Sequence, residues 1–299
     1  MPEEGIPLIR HEDILTYEEI LRIVRVFASE GISKVRLTGG EPLIRKGIVD
    51  FISRLSKIEE IKDLSLTTNG ILLKEFAHDL KQAGLKRINI SLDSLKKDRF
   101  LQITRRDGFE QVWAGIEETL KVGLSPIKIN VVAIKGLNDD EIESFARLTM
   151  HLPLTIRYIE YMPSGNGEEW QESDILTIPR IKSRLETIGK LIPIPSDRWD
   201  GPAKRFRIDG AIGEIGLIGA VSSHFCEECN RIRLTPDGRL RTCLFSDDET
   251  DVREILRNGG SDQDLRGRLL VALATKPERH HINTHQFKKC QRNMSAIGG

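Results

Sequence analysis

Along the first half of the chain, apolar residues follow two alternating rhythms. One has the helical period of 3.6 residues; the other consists of short β-branched runs suited to buried strands. The helical rhythm first appears at Ile20, Ile23, Val24 and Phe27, where Thr16-x-x-Glu19 reads as a capping box and Gly31 ends the pattern. Strands are predicted at 34–37, 64–67, 87–92, 127–133 and 155–159, and helices at 47–55, 74–83, 109–122 and 139–150. Gly84 and Gly123 terminate two of these helices, and Asn138 is placed to cap the last. Such alternation implies parallel βαβ units, and periodicity leaves open whether they form an open doubly wound sheet or a complete or partial (β/α) barrel.

In either architecture function belongs at the carboxyl ends of the strands, where the following loops converge. Those ends are polar here: Thr38-Gly39-Gly40-Glu41, Thr67-Thr68-Asn69, Ser91-Leu92-Asp93 and Glu160-Tyr161-Met162. Arg36, Lys128, Asn130 and Arg157 interrupt otherwise apolar strand bodies. Alternation would let several of them face one cavity, where grouped cations suit a polyanion such as a nucleotide. Taken singly, each is equally well read as an edge residue or a paired core charge.

Past Gly165 the rhythm breaks. A Gly- and Glu-rich loop leads to a helix predicted at 178–188, then to short strands interrupted by Gly and Pro, with later helices at 251–257 and 262–274. A domain boundary is expected near Ser173, dividing 1–172 from 173–299. The second part holds Cys226, Cys229 and Cys243 in the pattern Cys-x2-Cys-x13-Cys, with a Pro236 to Gly238 hairpin turn between the last two. Three thiolates in one place select zinc, copper(I) or an iron–sulfur cluster. Either a further residue such as His224 closes a structural zinc site, or one metal position stays open for a substrate.

Composition narrows the class without choosing the chemistry. The chain has 299 residues, 39% hydrophobic and 30% charged, as an ordinary globular protein does. Its 45 basic and 45 acidic residues cancel, so nothing global points to nucleic acid or anionic membranes. The first residues show no long apolar run, which argues against a signal peptide or a transmembrane helix and places the protein in the cytoplasm. In that reducing compartment clustered cysteines read as metal ligands and the isolated Cys290 as a free thiol.

The loop Thr38-Gly39-Gly40-Glu41-Pro42-Leu43 resembles the GGEP loop with which radical S-adenosylmethionine enzymes hold the amino end of that cofactor. Together with Thr67-Thr68-Asn69-Gly70, the run from Asn89 to Leu95, the cysteine pattern with Asn230-Arg231-Ile232-Arg233, and the terminal Gly298-Gly299, it closely resembles the GTP 3',8-cyclases of molybdenum cofactor biosynthesis across the whole chain. That resemblance implies a partial (β/α)6-type barrel with a C-terminal α+β domain. Cys226, Cys229 and Cys243 would hold a [4Fe–4S] cluster whose open iron binds the guanine of GTP. Arg36, Thr67, Lys128, Arg157, Arg231 and Arg233 would contact GTP, while Gly40, Ser91 and Met162 would bind S-adenosylmethionine. Gly298 and Gly299 would thread back toward the active site.

The implied reaction is radical conversion of GTP to 3',8-cyclo-7,8-dihydro-GTP by a homodimeric lyase, whose product passes to cyclic pyranopterin monophosphate synthase. Family members also carry a Cys-x3-Cys-x2-Cys motif for a second cluster, which cleaves S-adenosylmethionine; these 299 residues lack it. The expectation is therefore a chain beginning just after that motif, without the first barrel strand and without cyclase activity on its own. The competing expectation is a chain that binds the cluster and GTP but generates no radical.

Overall fold

In a computed structural model, the structure describes residues 9–162, 172–195, 200–280, 282, 290–292 and 294–297. Gly298 and Gly299, and most of the Gly- and Glu-rich loop, lie outside the described residues. Two compact units emerge. One is built from 65–162 and the described part of 169–225, the other from the described parts of 2–64 and 226–299.

The chain order is α1 (Tyr17–Ser29), β1 (Lys34–Leu37), α2 (Ile48–Ser56), β2 (Asp63–Thr68), α3 (Leu73–Gln82), β3 (Arg87–Ser91), α4 (Lys97–Thr104), α5 (Phe109–Lys121), β4 (Ile127–Ala133), α6 (Ile142–His151), β5 (Leu154–Glu160), α7 (Ile178–Leu185), β6 (Leu191–Ile194), β7 (Lys204–Ile208) and β8 (Glu214–Ile218). Short strands β9 (Arg233–Leu234), β10 (Arg239–Arg241) and β11 (Thr250–Asp251) follow, then α8 (Arg253–Arg257), α9 (Asp262–Ala274) and α10 (Met294–Ile297).

The strands and most helices stand where the apolar rhythm places them. Thr16 caps α1 as expected, its hydroxyl accepting from the Glu19 N–H at 3.1 Å while the Glu19 carboxylate accepts from the Thr16 N–H at 2.7 Å. Helix α4 gives no such signal: it buries only Phe100, and it ends on Arg105 in the left-handed region (φ 57°) rather than on glycine. The segment predicted as one helix at 139–150 begins as a 3₁₀ turn, Asp139–Glu141, and continues as α6. Asn138 does not cap it. Its amide instead accepts from the Ile134 N–H and donates to the Asp93 and Val132 carbonyls, all at 2.8 Å. Three backbone groups left over from strand ends outcompete one helix terminus for that side chain.

In the first unit the strands run β2-β3-β4-β5-β8-β7-β6, parallel through β8 and antiparallel beyond it. Strands β2 to β5 are added in sequence order with no reversal. This is the single direction of winding that right-handed βαβ crossovers give when the helices stay on one face, and it differs from a doubly wound sheet. The two faces differ accordingly. Leu66, Ile88, Ile90, Ile127, Ile129, Ile156, Tyr158 and Ile215 are buried on one. The Tyr158 hydroxyl on that side donates to the Ile142 carbonyl at the start of α6. The opposite face is polar.

The second unit has its own core. Ile23, Val26 and Phe27 of α1 pack with Leu240 of β10, Val252, and Leu265, Leu269 and Ala272 of α9. Burying such side chains contributes roughly 1.5–3 kcal/mol each before the entropy of ordering them is counted. The hairpin β9–β10 is antiparallel, pairing Leu234 with Leu240. Its turn requires Gly238: φ is 79°, and a Cβ there would lie 2.6 Å from Cβ of Arg253. The Leu15 N–H donates to the Pro236 carbonyl of the same turn at 2.8 Å. Among the described residues, no helix is long and apolar enough to cross a membrane.

Candidate functional site

Register assembles the first part of the site. Thr67 of β2 pairs with Asn89 of β3, Asn89 with Lys128 of β4, and Lys128 with Thr155 of β5. One step toward the carboxyl ends, Ser91 pairs with Asn130, Asn130 with Arg157, and Arg157 with Gly216 of β8. Because side chains alternate across a strand, these residues share one face of the sheet. Arg157 is buried, its Nη2 donating to Asn89 Oδ1 at 2.6 Å and its Nε to Asn130 Oδ1 at 2.9 Å. The Asn89 amide in turn donates to the Leu66 carbonyl at 3.1 Å and the Thr67 hydroxyl at 3.4 Å. Two side-chain amides therefore orient the guanidinium. Gly216 leaves room for the stem, since a Cβ there would lie 2.8 Å from Cγ of Arg157.

Lys128 stands on the same face, 8% exposed. Its pKa is pushed down to about 7, first by burial and then by the cations of Arg157 and Arg87, with Asp200 pulling the other way. The nearby Arg205 is different, for Asp200 holds it at 2.7 Å and Glu214 at 2.9 Å. Arginines and a lysine grouped on one face suit an anionic ligand.

The carboxyl ends of these strands are fixed by buried carboxylates. Glu160, fully buried, accepts from the N–H groups of Ile178, Val221 and Ser222 at 2.8 to 2.9 Å and from the Ser222 hydroxyl, which sets the chain just before Met162. Glu141 accepts from Ser94 Oγ at 2.8 Å, the Leu95 N–H at 2.7 Å and Arg99 at 2.6 Å, holding the loop that follows Ser91. In that loop Asp93 accepts from the Val132 N–H, and burial nevertheless pushes its carboxyl up to about 6. Ser91 is exposed and Met162 half-buried at this end of the sheet.

The second unit gathers the cysteines. A 3₁₀ turn, Cys226–Glu228, lets the Cys229 N–H donate to the Cys226 carbonyl at 3.1 Å, and Cys243 follows β10. All three are free thiols, half-buried and close enough for Cys226 and Cys229 to raise the pKa of Cys243, although burial is the larger cause. Burial also acts to raise Cys229, but the N–H and guanidinium of Arg231 and the Lys276 ammonium outweigh it and favour the thiolate. Lys276 Nζ donates to the carbonyls of Cys229 at 2.6 Å and Arg231 at 2.9 Å, and lies 3.8 Å from Cys229 Sγ.

Arg233 is pushed down to about 10 by burial and by the neighbouring Arg231 and Arg36, against the pull of Cys229 and Cys243. Arg36, Arg231, Arg233 and two of the thiols are thus one electrostatic neighbourhood. Among the described residues no three His, Cys, Asp or Glu side chains converge on a single metal ion. Three thiols flanked by cations are a donor set that fits an iron–sulfur cluster, whose ligands are thiolates and whose charge the cations offset. In the GGEP loop, Glu41 accepts from the Leu43 N–H at 3.0 Å as the cap of a 3₁₀ turn, beside an exposed Gly40.

The sequence-predicted residues therefore fall into two sets, one in each unit. Thr67, Ser91, Lys128, Arg157 and Met162 belong to the first, and Gly40, Arg36, the three cysteines, Arg231 and Arg233 to the second. Sequence reasoning missed Asn89, Gly216, Glu160 in its bonding role, and Lys276. Only Asn89 left a usable signal, as a polar residue between Ile88 and Ile90 in phase with Lys128.

Comparison with known proteins matches residues 3–149 to the Radical SAM superfamily and residues 154–282 to Molybdenum Cofactor Synthesis C. The GTP 3',8-cyclase of Thermodesulfovibrio yellowstonii is 50% identical over 100% of this chain and 92% of its own length. The enzyme of the same name from Alkaliphilus metalliredigens is 48% identical over the same shares. Among solved structures, SuiB of Streptococcus suis superposes with a TM-score of 0.58 at 14% identity, over 94% of this chain and 71% of that one, a likeness of fold. The form of SuiB bound to S-adenosylmethionine gives 0.55 at 16% identity, over 85% and 60%.

Proposed function

This chain belongs to the GTP 3',8-cyclase family of the radical SAM superfamily, and from that premise we propose how its residues divide the work. Membership brings lyase chemistry on GTP in molybdenum cofactor biosynthesis, with a [4Fe–4S] cluster and S-adenosylmethionine as cofactors. Cys226, Cys229 and Cys243 are the proposed cluster ligands. When bound, that cluster supplies an iron with an open position for the guanine.

For GTP, Thr67, Lys128 and Arg157 are the proposed contacts of the first unit, and Arg36, Arg231 and Arg233 those of the second. Gly40, Ser91 and Met162 are proposed for S-adenosylmethionine. The chain's own part is to bind, orient and exclude water. The observation that carries this reading is the gathering of Cys229 and Cys243 with Arg231, Arg233 and Arg36, with Cys226 near enough to act on Cys243.

The test is anaerobic reconstitution of the chain with iron and sulfide, followed by calorimetric titration with GTP. Brown protein that binds GTP, with both properties lost in Cys243→Ala, is the expected result. Colourless protein holding zinc, or GTP affinity indifferent to the cluster, overturns the reading. These 299 residues contain no Cys-x3-Cys-x2-Cys, so we further propose that a polypeptide of this composition binds GTP without turning it over. Formation of the cyclised nucleotide with S-adenosylmethionine and a reductant would refute that.

A further inference from the structure

We propose that Asn89 is a positioning residue for GTP, acting through Arg157 and Thr67; this rests on the assignment of those two residues to the substrate. Asn89 is 1% exposed, and its amide can sit only one way round. Leu66 offers a backbone carbonyl, which can only accept, so the NH₂ group must face it. That leaves Oδ1 toward Arg157 Nη2, which can only donate. A flipped amide would set oxygen against oxygen and donor against donor. The polarity of the site is thereby fixed from the backbone of β2 outward.

Two consequences reach the ligand. With Nη2 on Asn89 and Nε on Asn130, the plane of the guanidinium is fixed at two points by groups of no net charge. A guanidinium held in that plane meets a phosphate from a fixed direction. The Thr67 hydroxyl accepts from Asn89 Nδ2 at 3.4 Å, so its own proton is turned away from Asn89 and serves a ligand oxygen as donor. One buried amide thus sets the direction of a cation and of a hydroxyl on a neighbouring strand. Neither effect requires Asn89 to touch the substrate.

The test is a double-mutant cycle read by GTP titration of the cluster-loaded full chain. Arg157→Ala comes first and tests the underlying assignment: unchanged GTP affinity there refutes the assignment of Arg157 itself, a failure distinct from any behaviour of Asn89. With that variant weakened, Asn89→Ala in the otherwise wild-type chain is expected to weaken GTP about tenfold, the scale of one hydrogen bond to a charged group. In the Arg157→Ala background the same change should cost about threefold or less, leaving only the contribution through Thr67. Equal costs in both backgrounds, or no cost in either, overturns the proposal. Asn89→Ser, which keeps a polar group in the buried position but cannot reach Arg157, runs the same cycle should Asn89→Ala not fold.

Discussion

Binding of GTP at the proposed contacts should take up a proton at Lys128. With its pKa near 7, the free site holds this lysine half-charged at neutral pH, because burial and the cations of Arg157 and Arg87 oppose its ionisation. A polyphosphate beside it removes that opposition and drives the pKa back toward its ordinary value. If only the charged form binds well, the dissociation constant grows with the neutral fraction, so affinity falls about tenfold between pH 6 and pH 8, or about 1.4 kcal/mol. Calorimetry in buffers of different ionisation enthalpy should show uptake approaching one proton at pH 8, beyond that of Lys128→Arg, which keeps its charge throughout.

The sign for stability is opposite. The folded pKa lies below the unfolded one, so the unfolded chain binds more protons between about pH 7 and pH 10.5, and apo stability rises with pH across that window by up to about 1.4 kcal/mol per unit. Equal proton uptake in wild type and Lys128→Arg would refute the reasoning.

Gly216→Ala should destabilise by roughly 1–3 kcal/mol and weaken GTP, because its new methyl group displaces the Arg157 stem; a melt together with a titration checks both, and unchanged affinity would show that Arg157 tolerates the shift. Glu160→Gln is isosteric but loses a buried charge accepting from three N–H groups and a hydroxyl; a loss of about 2–4 kcal/mol is expected in denaturant unfolding. Cys226→Ala should abolish the iron content that the wild-type chain takes up, while Cys290→Ser should retain it, which iron and sulfide analysis will decide. Asp237 is held by Arg292 at 2.9 Å through two parallel contacts, and although burial raises its pKa, that partner and Thr235 lower it overall. Its stabilising contribution is therefore present above the ordinary carboxylate range and lost as pH falls through it, a slope that Asp237→Asn should remove from the acid limb of the unfolding curve.

Much of the scaffold was legible because strand and helix periods differ so clearly here: 127–133 was predicted at the bounds that β4 has, and 262–274 at those of α9. The polar face was half-legible. Lys128, Asn130 and Arg157 stood out as charges or amides in apolar runs, but that they share one face with Asn89 and Thr67 depends on register between strands, which no single strand encodes. Helix α4 escaped because it buries one side chain and ends without glycine. Glu160 looked like a strand-end candidate for chemistry, yet its oxygens are taken up by N–H groups from segments far along the chain. Lys276 is 47 residues from Cys229, so nothing local announced it. The contact units interleave along the chain.

That interleaving carries a consequence for how the protein comes off the ribosome. Nearly all of the first unit is one continuous stretch, which can close on itself as soon as it is made. The cysteine hairpin cannot do so. It rests on α1, and the ties between that helix and the segment around α9 join residues 240 apart, Arg22 to Asp262 at 2.7 Å among them. Closing so long a loop comes late and slowly. Insertion of the proposed cluster should therefore follow completion of the polypeptide, and until then the three thiols stand open to oxidants and to the wrong metal.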